Sequence, residues 1–163
     1  MLFDLAVEYA RGSDLLSAPH FSAWEGGRET YDYVVEAHTL KALELMKVGK
    51  YRYAINEVNT AMLYPENLEV GKPLDDDRDA MIYYLLGYAY DAMKDIKKAK
   101  ECYQKSTEAI NSPQWPDLTY FQAKANSKLG NPTKAKEQYT KLIENGRTLF
   151  EKGIGISGIG VDE

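Results

Sequence analysis

Three segments of the sequence repeat one pattern, in which a helix ends, the chain turns, and a small residue opens the contact side of the next helix. They lie at 46–54, 93–99 and 128–135. Apolar residues around them recur at the i, i+3, i+4 and i+7 spacing of an amphipathic helix, and strand-like alternation is nearly absent before the glycine-rich end. The pattern predicts an all-α chain whose helices come in pairs.

The expected helices follow from this spacing and from the residues at their ends. Gly49, Gly130 and Gly146 stand where helices should stop, and Asn131 and Pro132 provide a cap and a first-turn proline. We therefore predict helices at 2–11, 28–48, 51–63, 78–93, 95–110, 117–129 and 132–150. Linkers that contain proline or glycine separate them at 17–27, 64–77 and 111–116.

The middle pair resembles a tetratricopeptide repeat. Six residues fall where that motif places its aromatics, its Leu-Gly pair and its alanine: Tyr83, Leu86, Gly87, Tyr90, Ala99 and Tyr103. The unit departs from the motif at Ser106, where alanine is preferred, and at Asn111, where proline is usual. The flanking units keep Ala42, Gly49, Ala54 and Ala61, and then Ala123, Gly130, Ala135 and Tyr139.

This resemblance implies an α-α superhelix of about three helix hairpins, with an extra N-terminal helix and an irregular C-terminal tail. The repeats are expected at approximately 34–66, 80–112 and 116–148, within a single domain of residues 1–163. One helix pair cannot bury its own apolar side, so neighbouring pairs must stack.

A second resemblance lies outside the repeats. Residues 20–27 and 64–72 resemble segments of large bacterial proteins that join a mutarotase-like domain of unknown function to a string of tetratricopeptide repeats. It implies that this chain corresponds to their C-terminal part. A carbohydrate-associated accessory role is therefore one alternative for the function.

Composition excludes several partner classes. The 25 acidic residues outnumber the 20 basic ones, so the net charge of −5 disfavours binding to nucleic acid. No apolar run approaches the roughly 20 residues of a membrane span, and acids stand where a secretory signal has its basic end. We expect no membrane partner, and a cytoplasmic location by default.

The resemblance also implies a concave groove lined by the first helix of each repeat. On this register, seven residues are candidates for ligand binding: Thr39, Leu43, Tyr84, Tyr88, Asp91, Tyr120 and Lys124. Tyr84 and Tyr88 lie one turn apart on one helix face, and Tyr120 should stand beside Tyr84. The resulting aromatic surface predicts a non-catalytic scaffold that binds a protein or a peptide. One alternative is that this surface is covered by the chain's own linker or by neighbouring repeats of a longer protein. Another is that the chain is a spacer that self-associates through its exposed ends.

The other motifs in the sequence do not predict a catalytic, cofactor-binding or metal-binding site. Residues 153–158 spell GxGxxG, but no helix can follow to bind a pyrophosphate, and Asp75, Asp77 and Asp79 begin a calcium loop that lacks its glycine and glutamate. His20, His38 and Cys102 have no catalytic or metal-binding spacing, and Trp24 with Glu25 is a sugar-stacking candidate at most. We expect no catalytic residue, metal or cofactor.

Overall fold

The computed structural model describes residues 11, 28–63, 78–110 and 118–151. These ranges contain six helices and no strand: α1 (Arg28–Lys47), α2 (Tyr51–Ala61), α3 (Asp79–Ala92), α4 (Ile96–Glu108), α5 (Leu118–Lys128) and α6 (Pro132–Glu151). Six predicted helices are confirmed within about two residues at each end. Gly146, where a helix was expected to stop, instead lies inside α6. The predicted helix at 2–11, apart from the helical Arg11, and the tail after 151 lie outside the described residues.

The helices form three antiparallel hairpins that stack in chain order. Within the hairpins, α1 packs on α2, α3 on α4, and α5 on α6. Between hairpins, α2 contacts α3 and α4 contacts α5, while α3 also lies directly against α5. This arrangement of stacked hairpins is the all-α repeat architecture that the sequence predicts.

The three hairpin turns share one backbone geometry. Each contains a residue with left-handed φ, namely Gly49 at 75°, Lys94 at 65° and Gly130 at 81°. The residue after each donates its backbone N–H to a carbonyl five positions earlier: Lys50 to Leu45, Asp95 to Tyr90, and Asn131 to Asn126. This hydrogen bond is the helix-ending Schellman type, which favours glycine at the left-handed position. The middle turn holds a lysine there instead.

Small residues allow the two helices of a hairpin to approach closely. Ala54, Ala99 and Ala135 open the second helices and are all buried. In the middle hairpin, Gly87 of α3 lies against the Tyr103 ring of α4, so that a Cβ atom at Gly87 would stand 2.7 Å from two ring carbons. That distance is too short for any side chain, and the glycine is therefore required by packing.

The apolar core is centred on the first two hairpins. Its largest fully buried apolar side chains are Ile82, Val35 and Val58, and Leu85 and Leu86 of α3 belong to the same cluster. Ser106, the departure from the repeat motif, is also fully buried. Its Oγ donates a hydrogen bond of 2.7 Å to the Ala80 carbonyl and ties α4 to α3.

A buried amide network holds the two helices of the third hairpin together and connects α5 to the end of α4. Gln122 Nε2 of α5 donates to the Ala109 carbonyl at 2.7 Å, and Gln138 Nε2 of α6 donates to Gln122 Oε1 at 3.4 Å. Asn126 Nδ2 donates to Gln138 Oε1 at 2.9 Å, and Asn131 Nδ2 to Asn126 Oδ1 at 3.4 Å. Because Gln122 and Asn126 are almost fully buried, these bonds satisfy amides that would otherwise be costly to desolvate.

Candidate functional site

The surface where α3 meets α5 is built on a buried tyrosine. Tyr84 is only 6% exposed, and its ring lies 5.8 Å from both the Tyr103 ring of α4 and the Phe121 ring of α5, measured between centroids. These tilted contacts are favourable for aromatic rings and lock three helices together. Tyr84 therefore forms the buried base of the site, and its own side chain is not accessible.

Lys124 of α5 bridges two tyrosines. Its Nζ atom lies 5.1 Å from the ring centroid of Tyr84 and 5.1 Å from that of Tyr120, within the range of cation–π attraction. Burial alone lowers the pKa of Lys124, but favourable interactions with the Tyr120 and Tyr84 hydroxyls outweigh it, so the pKa is raised. The ammonium group therefore stays charged between the rings at neutral pH.

Two further tyrosines complete the surface and remain accessible. Tyr88, one turn after Tyr84, is 41% exposed, and Tyr120 is 44% exposed. Tyr120 packs edge-on against Phe121 at 5.4 Å and lies 6.1 Å from Tyr139 of α6. We call Tyr84, Tyr88, Tyr120 and Lys124 the tyrosine–lysine face. It offers exposed aromatic surface around one fixed positive charge.

An ion pair closes one end of this face. Asp91 Oδ2, at the end of α3, accepts a hydrogen bond of 2.9 Å from Lys128 Nζ, at the end of α5. Both residues also line a cavity of about 260 Å³ that continues toward Lys100 of α4. Asp91 is a predicted site residue, whereas Lys128 was not predicted, although it follows Lys124 by one helical turn.

Tyr103 also lines this cavity. Its hydroxyl is buried and has no hydrogen-bond partner in the part of the chain that the structure describes. Burial, with the negative charge of Asp91 close by, raises the pKa of Tyr103. The sequence identifies Tyr103 only as an aromatic residue of the repeat motif, and it gives no indication that Phe121 joins the site.

The structure does not bring the two α1 candidates to the face. Thr39 is buried, and its hydroxyl donates to the carbonyls of Val35 and Glu36 within α1 at 2.8 and 2.9 Å. Leu43 is 38% exposed and lies on α1, which packs against α2. α3 contacts α5 more extensively than it contacts α1. The other five predicted residues lie on α3 and α5, which are in direct contact.

The remaining candidates have structural surroundings or lie outside the described residues. His38 is buried, with Nδ1 2.8 Å from Glu57 Oε2, while Lys41 Nζ lies 3.0 Å from Glu57 Oε1. Burial raises the pKa of Cys102 despite the neighbouring Lys105, which disfavours a reactive thiolate. Asp79 lies in the first turn of α3, where its charge favours the helix N-terminus.

Five sequence motifs cannot be placed. His20, Trp24 with Glu25, the pair Asp75 and Asp77, the bacterial-protein resemblance at 20–27 and 64–72, and the GxGxxG at 153–158 all lie outside the described residues. Within the described ranges no cluster of three metal-ligating side chains occurs. No helix in the same ranges is long and apolar enough to cross a membrane.

The middle hairpin matches a known repeat family. Residues 80–112 match the family model of the tetratricopeptide repeat, and this match spans α3, its turn and α4. A crystal structure of MamA is similar to the chain at 19% identity, covering 76% of this chain and 68% of that chain, with a TM-score of 0.43. A second structure, MamA 41-end from Desulfovibrio magneticus RS-1, is 22% identical and covers 90% of this chain and 75% of that chain, with a TM-score of 0.44.

No curated protein matches the chain. The matched repeat and the stacked hairpins around it are of the kind that serves as a protein-interaction scaffold.

Proposed function

We propose that the chain is a non-catalytic scaffold that binds a protein or peptide segment over the tyrosine–lysine face. The observation that carries this proposal is the exposure of Tyr88 and Tyr120 beside groups that are held in place. Tyr84 is fixed by rings on two other helices, and Lys124 is held over two tyrosine rings. The surface is therefore preorganised, which lowers the entropy cost of binding.

The chemistry of the face suits a polypeptide partner. Tyrosine offers a large contact area with few rotatable bonds and adds a hydroxyl for hydrogen bonding. The Asp91–Lys128 ion pair supplies polar contacts at one end of the aromatic surface, and the Lys124 ammonium supplies a positive charge within it. Such a combination of aromatic centre and polar rim is typical of binding hot spots.

The test removes only the accessible part of the face. In a variant with Tyr88→Ala and Tyr120→Ala, Tyr84 stays in place because it is buried and its loss would disturb folding. The matched control carries Tyr33→Ala and Tyr53→Ala, which removes two well-exposed tyrosines of α1 and α2. All three chains serve as bait in the lysate of the source organism, and retained proteins are quantified by mass spectrometry.

We expect a partner that the wild type and the control retain equally and that the Tyr88/Tyr120 variant loses. Titration calorimetry with that purified partner should then show binding at least about tenfold weaker, because central tyrosines often contribute more than 1 kcal/mol each. Equal retention by all three baits would contradict the proposal. Circular dichroism checks that the variants keep the helical signal.

A further inference from the structure

The charged residues of the tyrosine–lysine face and of the adjoining cavity carry a net positive charge. Lys124 belongs to the face, and Lys128, one helical turn further along α5, lines the cavity together with Lys100 and Asp91. Among the described residues these are the charged side chains of the two features, so three positive charges against one negative charge leave +2. The whole chain carries −5. This surface therefore has the opposite sign to the protein as a whole.

Two of these lysines have no acidic partner of their own. Asp91 is already paired with Lys128, with 2.9 Å between Oδ2 and Nζ. Neither Lys100 nor Lys124 forms an ion pair with a residue that the structure describes. No acid lies three or four positions from either lysine along its own helix. Because Lys100 is also exposed, its ammonium group is available to a carboxylate of a partner molecule.

The cavity beside Lys100 has the size and the walls to hold one side chain. Its volume of about 260 Å³ is several times the roughly 30 Å³ that one water molecule occupies in the liquid. Ile96, Ala99 and Leu129 supply apolar parts of its wall, and Lys100 and Lys128 supply positive charge. Such a wall suits a side chain with apolar methylene groups and a negatively charged end.

Tyr103 adds a hydrogen-bond donor to the lining of the cavity. Its side chain is 3% exposed, and its hydroxyl has no hydrogen-bond partner in the described part of the chain. Burial and the nearby charge of Asp91 raise the pKa of Tyr103, so the hydroxyl keeps its proton. Buried polar groups are normally hydrogen-bonded, and an unused donor at a cavity therefore favours a ligand that brings an acceptor.

We propose that the polypeptide bound over the tyrosine–lysine face is acidic, and that one of its glutamate side chains enters this cavity and pairs with Lys100 and Lys128. The inference rests on the proposed function and names the chemical class of the partner. An ammonium group has three donor hydrogens, so Lys128 can bind the incoming carboxylate without releasing Asp91. Glutamate is favoured over aspartate because its additional methylene group contacts the apolar wall. A basic segment would instead place like charges opposite Lys100 and Lys124.

Peptide libraries of defined charge test this inference. Three fluorescent decapeptide libraries, with acetylated and amidated ends, share random positions drawn from uncharged residues and differ only at one fixed central position, which is Glu, Gln or Lys. Fluorescence anisotropy measures their binding to the full 163-residue chain at about 50 mM salt, where charges are weakly screened. We expect the Glu library to bind at least about threefold more tightly than the Gln library, and the Lys library to bind most weakly. Equal binding of the Glu and Gln libraries, or no binding of the Glu library, overturns the inference.

Substitution of Lys100 tests whether the cavity is responsible for the preference. Lys100→Gln removes an exposed charge and should reduce the preference for the Glu library over the Gln library to less than about 1.5-fold. The matched control, Lys136→Gln on α6, makes the same charge change at an exposed position that does not line the cavity, and it should keep the preference. Lys100→Glu should bind the Lys library more tightly than the Glu library. A Lys100→Gln variant that keeps the full preference assigns acidic recognition to another surface and overturns the inference.

The variant with Tyr88→Ala and Tyr120→Ala separates this inference from the proposed function. It should weaken all three libraries by a similar factor, because it removes contact area that all of them share. If it does so and the libraries bind without regard to charge, the proposed function stands and the acidic class is rejected. If the Glu library is preferred but this variant binds it like the wild type, the acid binds at the cavity and the face is rejected as the binding surface.

A nucleic acid is the competing class of partner for a positively charged surface. Single-stranded DNA of ten nucleotides, labelled in the same way, should bind more weakly than the Glu library, since the chain as a whole is acidic. Tighter binding of the DNA than of the Glu library would assign the lysines to phosphate recognition and overturn the inference.

Discussion

The middle and last hairpins use the same turn and the same pairing of helices, but their interiors are built from different chemistry. α3 buries seven residues, among them Leu85, Leu86 and Gly87, and packs rings and aliphatic chains against α4. α6 buries only Ala135 and is joined to α5 by amide hydrogen bonds. The repeat thus fixes how helices meet, while the residues between them decide whether packing or hydrogen bonding stabilises the contact.

The difference matters for the candidate site, which spans both hairpins. Tyr84 belongs to the tightly packed hairpin, whereas Tyr120 and Lys124 belong to the hydrogen-bonded one. We therefore expect the α3 side of the face to be the more rigid and the α5 side to depend on the amide network.

The largest expected effect comes from Gly87→Ala in the middle hairpin. The new methyl group would stand 2.7 Å from the Tyr103 ring, so α3 and α4 must move apart. We expect the free energy of unfolding, measured by urea denaturation, to fall by about 2–3 kcal/mol. Gly146→Ala is the matched control, because it adds the same methyl group to a helix where nothing lies within 4 Å. Gly146→Ala should stabilise the chain by up to about 1 kcal/mol. Equal changes in the free energy of unfolding for the two substitutions would refute the packing argument.

A smaller loss is expected when the amide network of the last hairpin is cut. Gln122→Met keeps the side-chain length but leaves the Ala109 carbonyl and the Gln138 amide without this partner. The free energy of unfolding should fall by about 1–2 kcal/mol. Gln104→Met, at an exposed position of α4, should change it by less than about 0.5 kcal/mol. A stabilised Gln122→Met variant would mean that the last hairpin is held by apolar packing after all.

The middle turn differs from the other two at the left-handed position, and that difference predicts a gain in stability. Lys94 adopts a φ of 65° where Gly49 and Gly130 occupy the equivalent positions. A non-glycine residue in this region is strained, so Lys94→Gly should raise the free energy of unfolding by about 0.5–1 kcal/mol. Gly130→Ala should lower it by a similar amount. Thermal denaturation of both variants tests whether the three turns are equivalent.

The smallest effect at neutral pH concerns the Tyr103 hydroxyl. Because this buried group lacks a hydrogen-bond partner in the described residues, Tyr103→Phe should leave stability unchanged or raise it by about 0.5 kcal/mol. The difference in stability between Tyr103→Phe and the wild type grows at alkaline pH. The folded state keeps the Tyr103 proton above pH 10, where the unfolded chain releases it, so stability falls as the pH rises. Urea denaturation from pH 8 to about 11 should show a shallower decline for Tyr103→Phe than for the wild type.

The candidate site could be predicted only in part. The repeat register correctly assigned Tyr84, Tyr88, Tyr120 and Lys124 to two neighbouring first helices, because helical periodicity specifies which residues share a face. It did not indicate that Tyr84 would be buried under Phe121, or that Lys124 would lie between two rings. Those facts depend on the distance between α3 and α5 and on side-chain rotamers, which a single sequence does not specify.

The sequence by itself determined the local features of the part of the chain that the structure describes: its six helices, their turns and the small residues at their contacts. These follow from interactions between residues only a few positions apart, such as the hydrogen bond that ends each first helix. Only the tertiary structure decided how far α1 stands from α3, which tyrosines remain exposed and how buried amides are satisfied. These features arise from side chains that are distant in sequence, and their free energies depend on burial and distance that no local pattern encodes.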